Sequence, residues 1–462
     1  MRTNNKSHKA TIALLSAVSV AIFTTAANAT ELTAFALMPA NTFAEGPTSG
    51  QFAGAGAGGN TLPLIDKQPV QGISAVLQGP TANSFYVMPD NGFGAKTNSA
   101  DALLRVYALK PEFKTWNGNR VRGSGTVSPV NFYSGRVLPA FNKYSFISLR
   151  DPDHKIDFDI VANQVNYPNG ANNISVDPTI KTRRLLTGAD FDIESVRKDR
   201  KGNLWFGEEF GPFLVETDMT GKILHGEIRT PNIVPPGSIA TGAEVKSPQN
   251  PFLGLDTPNL GASRGFEGMA INPKGDKLYT LLEGTVTGDN DINGTINKNL
   301  RIDEFDIKTK RYTRKNWLYQ LEVNGTNIGD MTAVNDHQFL VLERNGDTAT
   351  TGTPFKKIYL IDIKGLDNGG FVDKTELVDL MNIDDPHDLN GDGSKIFTFP
   401  FVTIESVLPL NPKTLLVIND NNYPGAGGRD SNSDNSEFIK IRLDTHLDLA
   451  RSQDDDHGDD HQ

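Results

Sequence analysis

Short runs in which apolar and polar residues alternate recur along the chain, each bounded by Gly, Asn or Pro. LLRVYAL (103–109), PFLVETD (212–218), NLRIDEFDI (299–307), KKIYLIDI (356–363) and FIKIRLD (438–444) have the two-residue period of half-buried strands. Each follows a hairpin-like unit of fixed form. The unit opens with an acid among small or apolar residues, turns through Gly, Asn or Pro, and closes in a short apolar strand ending in a second acid. Copies run from Glu194 to Glu209, Glu267 to Glu283, Asp330 to Glu343, and Glu405 to Asp420, with a weaker one from Ser74 to Asp90. The two ends lie 13 to 16 residues apart. KGN, PKGDK and NPKT between the paired strands read as hairpin turns.

A three- or four-stranded meander repeated along a chain predicts an all-β fold, a β-propeller. The long interval between the first two copies leaves room for a diverged blade around 120–185. Six blades are therefore expected, with five or seven as the alternatives. Residues 31–45 are expected to help the last strand close the ring.

The composition agrees: 462 residues, with 44 Gly, 26 Pro and 25 Phe, suit a turn-rich β protein. A net charge of -11 argues against a nucleic-acid binder, which needs a basic face. The absence of Cys excludes disulfides, thiol nucleophiles and thiolate metal sites. H-E-x-x-H is absent, and no dinucleotide fingerprint follows a strand into a helix.

Residues 1–29 read as a signal peptide. Arg2, Lys6 and Lys9 precede a 14-residue apolar run (10–23), and Ala27-Asn28-Ala29 marks cleavage after Ala29. A periplasmic or secreted protein without a stable membrane anchor is expected. The propeller domain is assigned to 30–450, and 451–462 to an acidic disordered tail. Residues 46–60 form a Gly-rich loop without a P-loop lysine. The Pro/Gly-rich stretch 225–263 is expected to form a lid or long insertion.

Propeller symmetry brings Glu194, Glu209, Glu267, Glu283, Asp330, Glu343, Glu405 and Asp420 toward one axis. Carboxylates so crowded need protons or cations, and an all-oxygen ligand set points to calcium or magnesium. Two D-x-[DN]-x-[DN]-G loops add candidate calcium ligands: Asp388, Asn390 and Asp392, and Asp289 to Gly294. Phe399 and Leu300 stand where an EF-hand has its bidentate Glu, so neither is a complete EF-hand. Arg264 and Arg344, beside these acids, are candidate phosphate contacts through the planar guanidinium fork. Arg150 and Arg429 are further candidates.

Residues 188–224, 265–284, 339–346 and 403–424 resemble the phytase-like family of secreted bacterial proteins, described by esterase-like activity of phytase. The resemblance covers about 65–445. The family is more distantly similar to calcium-dependent β-propeller phytases, whose strand ending in Glu-Glu and whose Glu-Gly pair match Glu208-Glu209 and Glu267-Gly268. It implies a phosphatase or phosphodiesterase using several Ca2+ ions and metal-activated water. Metal would be held by Glu194, Glu209, Glu267, Glu283, Glu405 and Asp420. Glu209, Glu267 and Arg344 would be catalytic, and Arg264, Arg344 and Asn421 would contact substrate. The partner expected is a small phosphoester or ester, bound by a monomer. A carboxylic-ester or lactone hydrolase with one channel calcium, and a non-catalytic calcium-stabilised propeller, remain the alternatives.

Overall fold

The computed structural model describes residue 1 and residues 30–54, 61–168, 173–289, 297–425, 428–429 and 432–450. The signal peptide and the acidic tail lie outside the described residues, as do parts of the Gly-rich loop and of the Asp289–Gly294 loop. Among the described residues no helix is long and apolar enough to cross a membrane.

Each repeat folds as an antiparallel sheet. Blade 1 comprises Ile73–Gln78, Phe85–Pro89, Arg105–Glu112 and Thr126–Pro129. Blade 2 comprises Ile193–Lys198, Leu204–Glu208, Phe213–Thr217 and Ile228–Arg229. Blade 3 comprises Gly268–Ile271, Lys277–Leu281, Asn299–Asp306 and Arg311–Gln320. Blade 4 comprises Asn327–Ala333, Gln338–Arg344, Lys356–Asp362 and Asp373–Asp379. Blade 5 comprises Thr403–Asn411, Thr414–Asp420 and Ser436–Arg442. Its fourth strand is the N-terminal Glu31–Met38, which pairs antiparallel with Ser436–Arg442 and closes the ring, as expected.

The inner strands pack in a closed circuit, blade 1 to 2 to 3 to 4 to 5 and back to 1. The fold is a β-propeller, and among the described residues this circuit has five members, one of the expected alternatives, and not six. Among the described residues the stretch 120–185 makes no blade of its own; Val121–Arg122 pairs only with Thr115–Trp116 in a two-stranded sheet. Thr126–Pro129 and Phe146–Ser148 share the outer edge of blade 1's third strand, and Pro178–Arg183 is a short helix capped by Asp177. Sequence length alone suggested a blade there, but its apolar residues (Phe132, Ile147, Ile160, Val176, Ile180) are spent in the core shared by blades 1 and 2.

Stability comes from the apolar slabs between blades. Trp205 and Leu214 of blade 2 meet Met269, Leu278 and Phe305 of blade 3. Tyr279 and Trp317 of blade 3 meet Phe339 of blade 4. Each such side chain removed from water contributes about 1.5–3 kcal/mol.

Across the axis, Arg197 of blade 2 bonds Asp330 (2.8 Å) and the Met331 carbonyl (2.7 Å) of blade 4, and Asp330 also accepts the Val407 amide of blade 5. Three inner strands are thus tied by one buried ion pair. The expectation that Asp330 joins the channel carboxylates is corrected: it is already neutralised.

Candidate functional site: a buried carboxylate cluster with one arginine

The inner strands carry a device the sequence does not announce. Pairing slips between Ile73 and Ala75, Ile193 and Ser195, Ile328 and Asp330, and Ile404 and Ser406. The residue inside each slip is a bulge: Ser74, Glu194, Gly329 and Glu405. The preceding Ile is fully buried in every case. A bulge turns its extra residue out of the regular alternation, so Glu194 and Glu405 face the axis while the isoleucines stay in the core. In blade 3, Glu267 has the same place immediately before Gly268–Ile271.

In blade 4 the bulge residue is Gly329, and Arg344 from the neighbouring strand lies against it. A Cβ on Gly329 would sit 2.0 Å from the Ile404 carbonyl oxygen and 3.4 Å from Arg344 Nε. Gly329→Ala is expected to cost about 2–3 kcal/mol by overpacking, read as a lowered urea midpoint. An unchanged midpoint would mean that the backbone there yields freely.

The second strands deliver the other half of the cluster at their ends: Asp90, Glu209, Glu283, Arg344 and Asp420. Four blades present an acid and blade 4 an arginine. Glu343, expected in the channel, points the other way, as the alternation of a strand requires. It accepts hydrogen bonds from Tyr319 Oη (2.5 Å), Lys374 Nζ (2.7 Å) and the Glu322 amide (2.7 Å). Glu208 likewise turns away and accepts the Phe210 and Gly211 amides.

Arg344 Nη2 reaches Glu405 at 3.0 Å, Glu267 at 3.2 Å and Glu283 at 3.3 Å. Its side chain is 7% exposed, so it sits inside the cluster. Burial works against its charge, but Glu405, Glu283 and Glu267 outweigh it and hold it protonated. Arg264 is different: its side chain is 42% exposed, at the rim, with Nη1 2.8 Å from Glu283. Asn421 does not face the channel. Its amide oxygen accepts the Gly72 amide, and its Nδ2 donates to Gln71 and to the Asp434 carbonyl.

One arginine cannot balance so many acids. Burial, then neighbouring carboxylates, pushes Glu194 well above the ordinary carboxyl range; Glu209 and Glu267 follow for the same reasons. Burial followed by the Asp420 charge takes Glu405 to about 8. Burial takes Asp192 to about 6 and raises Asp90 and Asp420. Asp192, two residues before Glu194, was not among the sequence candidates.

Three carboxylate trios place ligand oxygens within 4.8 Å of one another and could hold a metal ion: Asp192, Glu194 and Glu209; Glu194, Glu267 and Glu405; Glu209, Glu267 and Glu283. Arg344 touches members of the second and third. Among the described residues no Arg or Lys forms an ion pair with the first trio. Asp192 Oδ1 and Glu267 Oε2 are buried without a hydrogen-bond partner. Oxygen-only ligands with orphaned lone pairs fit a hard cation.

Asp388, Asn390 and Asp392 do not join this cluster, nor does Asp289, the one described residue of the second loop. Asp388 accepts the Gly393 amide, Asn390 donates to Asp392, and Asp392 accepts the Ser394 amide, all within one surface turn. Asp289 is paired with the buried Arg301 at 2.5 and 2.9 Å. Arg150 bonds Thr220 and Arg429 bonds Glu437, both outside the cluster.

Comparison with known proteins adds the following. The family model "Phytase-like: Esterase-like activity of phytase" matches residues 68–423. An uncharacterized secreted protein of Arthroderma benhamiae is 27% identical over 133 residues, 27% of this chain. The match spans about a quarter (26%) of that relative's length. Among solved structures, regucalcin from Agrobacterium tumefaciens, titled a calcium-binding protein, is similar at 9% identity over 89% of this chain and 100% of that one, TM-score 0.33. The Dos1 propeller is similar at 10% identity over 91% and 99%, TM-score 0.31.

Proposed function

Since this chain belongs to the phytase-like family, we propose that it is an exported calcium-dependent phosphoester hydrolase acting on small organic phosphates. One observation carries the reading. The Asp192, Glu194 and Glu209 trio is buried, forms no ion pair with Arg or Lys among the described residues, and leaves Asp192 Oδ1 without a hydrogen-bond partner. Calcium held there would offer positive charge to a phosphoryl oxygen and lower the pKa of water.

The chain's own groups have separate tasks. Glu209 accepts the Gly265 amide at 3.0 Å, which fixes its carboxylate for the ion. Arg264 at the rim can swing from Glu283 to a phosphate oxygen. Arg344 neutralises the far side of the cluster and keeps Glu267, Glu283 and Glu405 together; a direct contact with substrate is not its role. Asn421 holds the loop behind Asp420 in place.

A second reading has its own observation. Arg344 leaves only one trio clear, and a single ion suffices to polarise the carbonyl of an ester or lactone. Product analysis separates the two. The full chain, after chelation and with calcium restored, should release phosphate from a panel of phosphomonoesters and diesters only when calcium is present. Release of acid from carboxylic esters or lactones without phosphate release would replace the phosphoester reading. No turnover of either, in protein that calcium still stabilises, would leave a binding propeller.

A further inference from the structure

Five of the eight residues 308–315 are Lys or Arg and none is acidic, in a chain of net charge -11. They form the turn into blade 3's outer strand and its first residues. That strand and blade 2's outer strand, Ile228–Arg229, border a cleft of about 910 Å³. Arg229, Lys310, Arg311 and Arg314 line it, and no carboxylate does.

The nearby acids are engaged elsewhere. Glu216 is held by Lys310, and Glu304 by Lys277, Tyr279 and Thr313. Asp306 turns back onto the Thr309 amide and hydroxyl. Among the described residues Arg311 and Arg314 form no ion pair. Arg229 is fixed with its guanidinium 3.6 Å over the Phe252 ring. Arg314 stands at φ 69°, in the left-handed region, where the strand's pairing slips opposite Glu304. A side chain rarely adopts that conformation without the surrounding structure imposing it.

We propose that this cleft binds an anionic polysaccharide carrying sulfate or phosphate groups along its length. Guanidinium forks match such groups two oxygens at a time. The lining cations come from two blades, Arg229 from blade 2 and Lys310, Arg311 and Arg314 from the turn and outer strand of blade 3. Arg311 to Arg314 alone span about 10 Å at strand spacing, so they present separate forks along the cleft. The lining offers no free aromatic face for stacking nucleobases. Its one aromatic, Tyr312, packs edge-on against Phe305, and its hydroxyl lies 3.3 Å from that of Thr230.

The test is calorimetric titration of the full chain with dextran sulfate, neutral dextran, oligothymidylate and inorganic phosphate. Dextran sulfate should bind with an affinity that falls as salt rises, and neutral dextran should not bind. The double variant Arg311→Gln, Arg314→Asn should bind at least tenfold more weakly at an unchanged melting temperature; Asn tolerates the left-handed backbone. Binding should survive calcium chelation, which separates it from bridging at the channel. Equal binding by the folded double variant, or none by the wild type, would overturn the proposal. So would tighter binding of oligothymidylate, or inorganic phosphate matching the polymer's affinity.

Discussion

Replacing Arg344 by Met should make the calcium-free protein unstable, with a loss of about 3–5 kcal/mol, the size expected when a buried ion pair loses one partner. Met keeps much of the side-chain volume, so the loss is one of charge and not of packing. Glu267, Glu283 and Glu405 would then face one another with no cation between them. Calcium should restore much of the loss, because a bound ion supplies what the guanidinium did. The reading is a pair of urea curves, in chelator and in calcium. A variant as stable as wild type in chelator would show that the three carboxyls are simply protonated and need no arginine.

The same physics sets a pH dependence for the calcium-free wild type. Unfolded carboxyls titrate near pH ~4, whereas burial holds Asp192 at about 6 and burial plus Asp420 holds Glu405 at about 8. The folded state therefore binds protons more tightly than the unfolded state. Stability is fullest below the unfolded values and is lost as pH rises through the folded ones. Between pH 5 and 8 the calcium-free midpoint should fall, and added calcium should flatten the slope.

Much of this architecture was legible because strand alternation and hairpin turns are local. The third strand of every blade falls within a few residues of its alternating run. The blade count was not legible, since chain length cannot say whether 120–185 starts a sheet or covers one. The site was partly legible. Glu194, Glu209, Glu267, Glu283, Glu405 and Asp420 come together in the structure, but Asp330 and Glu343 do not. Pairing Gly329 with Arg344 restores a spacing of 15, equal to Glu194–Glu209 and Glu405–Asp420. The irregular spacing of 13 between Asp330 and Glu343 was the available sign that blade 4 had been read out of register. A bulge cannot be seen in sequence, because its effect is to break the alternation by which strands are recognised. Asp192 escaped for a related reason: it precedes the strand, and the matching positions of other copies, Gly72, Gly265 and Thr403, are not acids.

Glu194→Gln should be the most damaging single change to metal binding and turnover. Glu194 is shared by the trio that forms no ion pair with Arg or Lys among the described residues and by the one with Glu267 and Glu405, so its charge serves two of the three candidate positions. Calcium affinity should fall at least 100-fold and turnover with it. At a calcium level about 100 times the wild-type dissociation constant, linkage gives the wild type about 2.7 kcal/mol of stabilisation. The variant should lose most of that, while its calcium-free form becomes more stable than wild type, since one buried carboxylate is gone. Glu283→Gln is the contrast. Glu283 is bound by Arg264, Arg344 and Asn327 and lies outside the first trio. Its loss should leave the tightest calcium site within a few-fold of wild type. If the two variants lost calcium affinity equally, the ion would lie among the carboxylates that Arg344 touches. The arginine would then have to move aside for calcium to bind.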